Sequence, residues 1–322
     1  MQRFWGRYIK PIFETVQPKR VLEIGADAGW NTRNILAYCR ATGARADIID
    51  PAPAQALFAV LADYPQEQTY HRLRSVAAIP ALEAPDIALI DGDHNWCTVY
   101  DELELLYGLA TKAAPPIILL HDVAWPYARR DMYYDADAIQ PSQRHPHAHV
   151  GMLPGVSELV ETGLNGVLAN ATHEGGPRNG VLTAVEDFIA STGVELAFFK
   201  LPFFNGLGIL VPRERMSSPL QVLVDSFYKP ESLLEACEQL ELNSMQLAAQ
   251  LTQTQALLTR RTEALLRARE LLAQKTAKLD ASAPEQKTVE LDAVCGLNGD
   301  AAVADQHDES QQAGMRAKPS SG

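Results

Sequence analysis

The stretch "RVLEIGADAGWNT", Arg20–Thr32, decides how the chain is read. "RVLEIG" has the length and the Val/Leu/Ile content of a buried strand, and "NTRNILAYCRATG" after it reads as a helix. Between them Glu23-x-Gly25-x-x-x-Gly29 marks a strand-to-helix turn. In a doubly wound α/β sheet such a turn receives ligands. Glycines let the backbone come close, and the helix N-terminus lends positive potential. A dinucleotide turn requires G-x-G-x-x-G, but position 27 is Asp. The turn is therefore poorly built for a pyrophosphate. It suits a ligand without phosphate that presents a carboxylate and an amine.

Outward from this turn, short apolar runs alternate with helical ones. "ADIID" (46–50), "TYHRL" (69–73), "DIALID" (86–91) and "PPIILLHD" (115–122) read as strands, and "TVYDELELLYGLATK" (98–112) as a helix. Continuous apolar strands separated by helices predict a parallel sheet covered on both faces. "ELAFFKLPFFNGLGILVP" (195–212) reads as two strands around "PFFNG", a hairpin closing one side. Residues 123–180 are rich in Pro, Gly, His and Tyr and show no clear strand, the mark of a lid or substrate loop. "GVLTAVEDFIAST" (180–192) resumes as a helix with Asn179 as its expected N-cap.

Composition narrows the function classes. The chain has 322 residues, 47% of them apolar, so a large core can form. A net charge of −12 argues against a nucleic-acid footprint, which needs a basic face. Cys39, Cys97, Cys237 and Cys295 are far apart, without a CxxC pair, so neither a disulfide framework nor a zinc ribbon is expected. No signal peptide or membrane span is evident, and the expectation is a soluble, cytoplasmic protein. Residues 231–279 lack Gly and Pro and read as one long helix, with Leu251, Leu258, Leu265, Leu272 and Leu279 at seven-residue spacing. That spacing suggests a coiled-coil seam and a homo-oligomer, although the second seam position (Leu247, Thr254, Arg261, Ala268, Lys275) is poor. The alternative is a solvated helix packing on its own domain. From Ala281 onward large apolar residues nearly vanish, and a disordered tail is expected. The division is thus 1–213 for an α/β domain with its insert at 123–180, 214–280 for a helical segment, and 281–322 for the tail.

Asp50 ends the second strand, where an acid can accept both hydroxyls of a ribose or serve only as a turn residue. Ser75, after the third strand, stands where an adenine edge would lie, or makes a local turn hydrogen bond. With "LEIGADAG", "IID" and the terminal strand pair in view, residues 15–213 resemble a class I S-adenosylmethionine (SAM)-dependent methyltransferase. "IDGDHNW…DEL" followed by "LLHDVAW" resembles the branch of macrocin-type sugar O-methyltransferases and cephalosporin-hydroxylase-like proteins. The resemblance implies a Rossmann-like, seven-stranded, mostly parallel sheet with an antiparallel last strand. It also implies SAM bound by the Glu23–Gly29 turn, including Gly25, Ala26, Asp27 and Gly29, with Asp50, Ser75 and Asp91, and a sugar or other polyhydroxylated acceptor. In that branch the first Asp of the DGD block and two acids after the next strand bind magnesium. Carried over, these positions are Asp91, His121 and Asp122. His121 departs from the pattern and favours Mn²⁺ over Mg²⁺, or no metal.

Asp93 precedes a helix and reads as its cap. His94 reads as a general base or as a hydrogen-bonding pillar. His145, His147 and His149 read as a solvated loop rather than a metal site. "HEGGPRNG", with His173, Glu174 and Arg178, reads as a lid over the acceptor. Trp125, Tyr127, Tyr133 and Tyr134 are candidates to stack on a sugar or to pack the insert. A non-catalytic module recruiting partners through the long helix is the rival reading. A hydroxylase on the same fold would need a His-His-carboxylate set, and none with clear spacing is evident.

Overall fold

The computed structural model describes residues 1–109 and 114–282. Helix α1 (Lys10–Val16) leads into strand β1 (Arg20–Ile24), helix α2 (Trp30–Thr42), strand β2 (Arg45–Ile49), helix α3 (Ala56–Asp63) and strand β3 (Gln68–His71). One turn of helix, α4 (Ser75–Ala78), precedes strand β4 (Ile87–Ile90), helix α5 (Trp96–Gly108) and strand β5 (Ile117–His121). Of the helix expected over 98–112, residues 110–112 lie outside the described residues.

Three short strands follow, β6 (Met132–Tyr133), β7 (His147–Ala148) and β8 (Ala169–Ala171), and then helix α6 (Val181–Ser191). Strands β9 (Leu196–Leu201) and β10 (Leu207–Pro212) form the expected hairpin. Helices α7 (Ser218–Ser226) and α8 (Pro230–Ser282) complete the described chain.

The main sheet has the order β3-β2-β1-β4-β5-β10-β9. β1 to β5 are parallel, and β10 runs antiparallel to both β5 and β9. This is the seven-stranded, mostly parallel α/β sheet that the resemblance implies. The runs VLEI, IALI and IILL are buried on both faces. Alternate residues serve opposite layers, as a two-residue period requires. Val21, Ile87, Leu89, Ile117 and Leu119 pack with Ile12, Phe13, Ile35, Leu36 and Leu57 of α1, α2 and α3. Leu22, Ile24, Ala88, Ile90, Ile118 and Leu120 pack with Val99, Leu103, Val185 and Phe188 of α5 and α6.

After β1 the chain winds outward through β2 and β3, then returns to place β4 on the other flank of β1. The switch point lies between the carboxyl ends of β1 and β4, where an open α/β sheet forms its binding crevice.

The insert is more ordered than its sequence suggests. β6, β8 and β7 form a small antiparallel sheet, overturning the expectation of no strand in 123–180. Strands of two or three residues are too short to display an alternating pattern, so they left no signal. Asn170, fully buried, turns its Nδ2 toward the carbonyls of Val150 and Asn165, both at 2.9 Å, and so holds the loops of the insert together.

Asn179 does not cap α6, whose N-cap is Gly180. Its Oδ1 accepts from the Asp131 N–H at 2.6 Å instead. Asp131 in turn accepts from the N–H groups of Gly180 (2.6 Å) and Trp96 (2.7 Å) and from the Tyr133 hydroxyl (2.8 Å). One buried carboxylate thus serves the starts of α5 and α6 and the insert.

The compact unit runs Met1–Leu247, and a second begins at Ala248. α7, within the stretch read from sequence as a helical segment, buries Leu220 and Val224 in the main core. α8 covers the predicted 231–279 helix and continues through Ala281 and Ser282, which were expected in the tail. The rest of that tail, 283–322, lies outside the described residues. Among the described residues no helix is long and apolar enough to cross a membrane.

Candidate functional site

Two groups of polar side chains meet at the switch point. The first belongs to the β1–α2 turn. Glu23, the fourth residue of β1, is almost completely buried and accepts from Asn31 Nδ2 at 2.7 Å. Its Oε2 and the Oδ1 of Asn31 are buried without a hydrogen-bond partner. Burial pushes the Glu23 carboxyl up to about 7, partly offset by Thr32 and Asn31 and reinforced by the charge of Asp91. Buried polar atoms are nearly always satisfied, so an orphaned oxygen here marks a place for a donor.

The glycines of the turn have a job in the fold itself. A Cβ on Gly25 (φ +86°) would stand 2.7 Å from the Gly92 Cα and overlap the Asp91 carbonyl. A Cβ on Gly29 (φ +80°) would press on Leu57 and Val60 of α3 at 3.1 and 3.0 Å. The sequence reading gave these glycines to a ligand. In the structure they also let the β4 loop and α3 close against the turn.

Asp50 likewise has protein partners. Its Oδ2 accepts from the N–H groups of Ala26 (3.0 Å) and Asp27 (2.9 Å), and its Oδ1 from Ala52 (2.9 Å). A carboxylate has about four lone-pair positions. Three are committed to joining the β1 and β2 turns, so one is left open. Ser75 is buried at the start of α4, beside Glu102 of α5. Both carboxyl oxygens of Glu102 lack partners, and burial raises its pKa to about 8, with Ser75 offsetting part of the rise and Asp93 adding to it.

The second group lies at the ends of β4 and β5. Asp91, His94, His121 and Asp122 each offer a ligand atom, and these four atoms lie within 4.8 Å of one another. His121 Nδ1 is 3.0 Å from Asp91 Oδ1 and 2.6 Å from Asp122 Oδ2. His94 Nε2 is 2.8 Å from Asp122 Oδ2 and 3.9 Å from Asp91 Oδ1. The α-amino group of Met1 donates to Asp91 Oδ2 at 2.7 Å.

Burial alone would raise both carboxyls, but the two histidines outweigh it and hold them well below the usual carboxylate range. Burial alone would lower the histidines, but the carboxylates hold His121 up at about 9 and His94 well above its ordinary value. The carboxylates and the histidines thus favour each other's charged forms.

Geometry around the cluster fixes the His121 ring. His121 Nε2 donates to the Phe204 carbonyl at 3.0 Å, in the β9–β10 turn. That turn is held close because Asn205 O accepts from the Ala124 N–H at 2.7 Å. Asp122 adopts a left-handed conformation (φ 59°), which turns the chain at the end of β5.

Asp93 is not the cap of α5. Asn95 is, its side chain accepting from the Thr98 N–H at 2.9 Å. Asp93 Oδ2 accepts from the Thr98 hydroxyl at 3.2 Å. The spacing misled because Asp93 and Asn95 both suit a cap, and only the extended backbone of Asn95 meets the helix end.

The His-His-carboxylate set not evident in the sequence is present. His94 and His121 come from different strand ends, 27 positions apart, and only the β4–β5 pairing brings them together. His145, His147 and His149 do not gather. Their ring nitrogens face the carbonyls of Arg178, His145 and Val167. Of the aromatic candidates, Tyr127 and Tyr133 are buried within the insert, and Trp125 packs beside Tyr127. Tyr134 is exposed, with its ring 5.9 Å from that of His94. Arg178 of the expected lid lies over Trp96 at 5.0 Å.

No protein-family model and no curated protein matches the chain. Among solved structures it is similar to the S-adenosylhomocysteine-bound methyltransferase PaMTH1 of Podospora anserina, at 18% identity and a TM-score of 0.41, over 63% of this chain and 76% of that one. It is also similar to 1,6-didemethyltoxoflavin-N1-methyltransferase of Burkholderia thailandensis, at 12% identity and a TM-score of 0.37, over 62% and 74%. At such low identity and overlap, fold and chemistry rest on this chain's own sheet order and side chains.

Proposed function

We propose that this chain is a SAM-dependent methyltransferase acting on an oxygen of a sugar or other polyhydroxylated acceptor, in glycan or secondary-metabolite assembly. The observation that carries the reading is the orphaned, buried Glu23 Oε2 at the switch point of the sheet, beside a turn that lacks the dinucleotide glycine pattern. Glu23 and Asp91 offer acceptors for an α-amine, and Gly25, Ala26, Asp27 and Gly29 shape the cradle. Asp50 has one lone-pair position left for a ribose hydroxyl, and Ser75 lies where an adenine edge would be read. Bound SAM would supply an electrophilic sulfonium methyl.

The donor set at the other strand ends fits a cation. Asp91, His121 and Asp122 would hold it, as Mg²⁺ or Mn²⁺, and it would lower the pKa of an acceptor hydroxyl. His94 belongs to the same side of the site, either as the base for that hydroxyl or as a further holder of the cation. Tyr134 offers a face for a sugar ring.

Calorimetry with S-adenosylhomocysteine (SAH) tests the cofactor half. One SAH should bind per chain, and Asp50→Ala should weaken it at least about tenfold, the worth of one lost hydrogen bond to a charged group. Absence of SAH binding removes the reading.

A second reading has one observation in its favour. Leu251, Leu258, Leu265, Leu272 and Leu279 are all exposed on a helix of 53 residues. In that reading the chain is a non-catalytic module, and α8 joins it to partners or to a second copy of itself. Asp91→Ala would then leave function intact, while substitutions along the leucine row would abolish complex formation.

A further inference from the structure

We infer that His94 is the fourth ligand of a cation site made with Asp91, His121 and Asp122, and that this site takes a borderline divalent transition ion in preference to Mg²⁺. The inference rests on the cation side of the function proposed above and changes both the ligand count and the ion.

Three observations support it. The first is convergence. The four donor atoms come from two neighbouring strand ends and lie within 4.8 Å of one another. Ligands about 2.1 Å from one ion stand about 3.0–3.5 Å apart at adjacent positions. Separations of 2.6, 2.8, 3.0 and 3.9 Å between them bracket that range.

The second is how His121 is held. A ligating imidazole gives its other N–H to a carbonyl or carboxylate, which fixes the ring and turns the free nitrogen to the metal. His121 Nε2–H donates to the Phe204 carbonyl, and Nδ1 points at the two carboxylates. The third is a buried atom left over. Asp122 Oδ1 has no partner, on a residue more than nine-tenths buried. Side chains desolvated this far are not arranged for water.

Donor chemistry then selects the ion. Mg²⁺ asks for oxygen ligands in near-ideal octahedral geometry and keeps several waters. Two imidazoles and two carboxylates instead suit Zn²⁺, Co²⁺, Fe²⁺ or Mn²⁺. Two carboxylates also balance the charge of one divalent ion. With Nε2 given to the cation, His94 is no longer available as the base for the acceptor.

The experiment is a titration of the full chain, stripped with chelator, with CoCl2, ZnCl2 and MgCl2 in the absence of SAM. One Co²⁺ per chain should bind on the order of 100-fold tighter than Mg²⁺, with visible absorption bands of nitrogen and oxygen ligation. His94→Ala should weaken Co²⁺ by at least about tenfold. Mg²⁺ binding as tightly as Co²⁺ overturns the inference, and so does a His94→Ala protein that keeps full Co²⁺ affinity. If His94→Ala does not fold, ring nitrogen shifts of the unsubstituted protein on adding Zn²⁺ decide. Both His94 and His121 should move, and movement of His121 alone refutes the fourth ligand.

SAH binding measured on the same stripped samples separates the two proposals. A chain that binds Co²⁺ through four donors but ignores SAH keeps this inference and loses the methyltransferase reading. A chain that binds SAH but no transition ion does the reverse.

Discussion

Glu102 shows how burial turns into pH dependence. Its carboxyl is pushed up to about 8 by burial, with both oxygens lacking partners. An acid whose folded pKa lies above its unfolded value stabilises the fold below the unfolded pKa, and that contribution fades as pH rises through the folded pKa. Glu102 should therefore erode stability between about pH 4.5 and pH 8. Glu102→Gln, uncharged throughout, should flatten the decline, read as urea midpoints at pH 5, 7 and 8.5. An equally steep decline in the variant would show that Glu102 is not its source. Asp50 lies at the opposite extreme, because its value is in acceptors already used. Asp50→Ala orphans the N–H groups of Ala26, Asp27 and Ala52. A loss of about 2 kcal/mol in urea unfolding is expected, since each unsatisfied buried donor costs about 1–3 kcal/mol and part of this turn reaches water.

At the scale of elements, the β1–α2 turn and the end of β4 are one construction. Gly25→Ala would drive a methyl group into the Asp91 and Gly92 backbone at a left-handed position. It should cost about 2–4 kcal/mol and should displace Asp91, so SAH and Co²⁺ affinity should fall together. Retention of either at full strength would show that the two strand ends move independently. The strands and helices of the main sheet were legible in the sequence because VLEI, IALI and IILL are long enough to carry a buried-strand signature. The site was half legible. Asp91 was singled out because it ends an apolar run, where an α/β sheet places its chemistry, and His121 and Asp122 because the resemblance to the macrocin-type branch carries its metal positions onto them. His94 as a neighbour of Asp122, Asn95 as the cap and Asp131 as the anchor of two helices were not legible. Each depends on a contact across the fold, and residue spacing carries no record of such contacts.

For the whole molecule, the exposed leucines of α8 make oligomeric state a measurable question. A seam with Leu at one position of each heptad should associate, and Leu258→Glu with Leu265→Glu should shift sedimentation toward the single-chain mass without changing SAH affinity. Sedimentation unaffected by these substitutions would favour a solitary helix. Asp131 has a consequence for how such a protein could be re-engineered. Its carboxylate is tied to Trp96, Gly180 and Tyr133, so the insert is rooted at its two flanks, with Ile139 packed on Cys97 of α5 between them. The loops between Gln140 and Leu168 could then be exchanged as a cassette, with Asp131, Ile139, Asn170 and Asn179 left as the splice frame. On the methyltransferase reading proposed above, a donor loop set of another shape would give the same sheet a different acceptor.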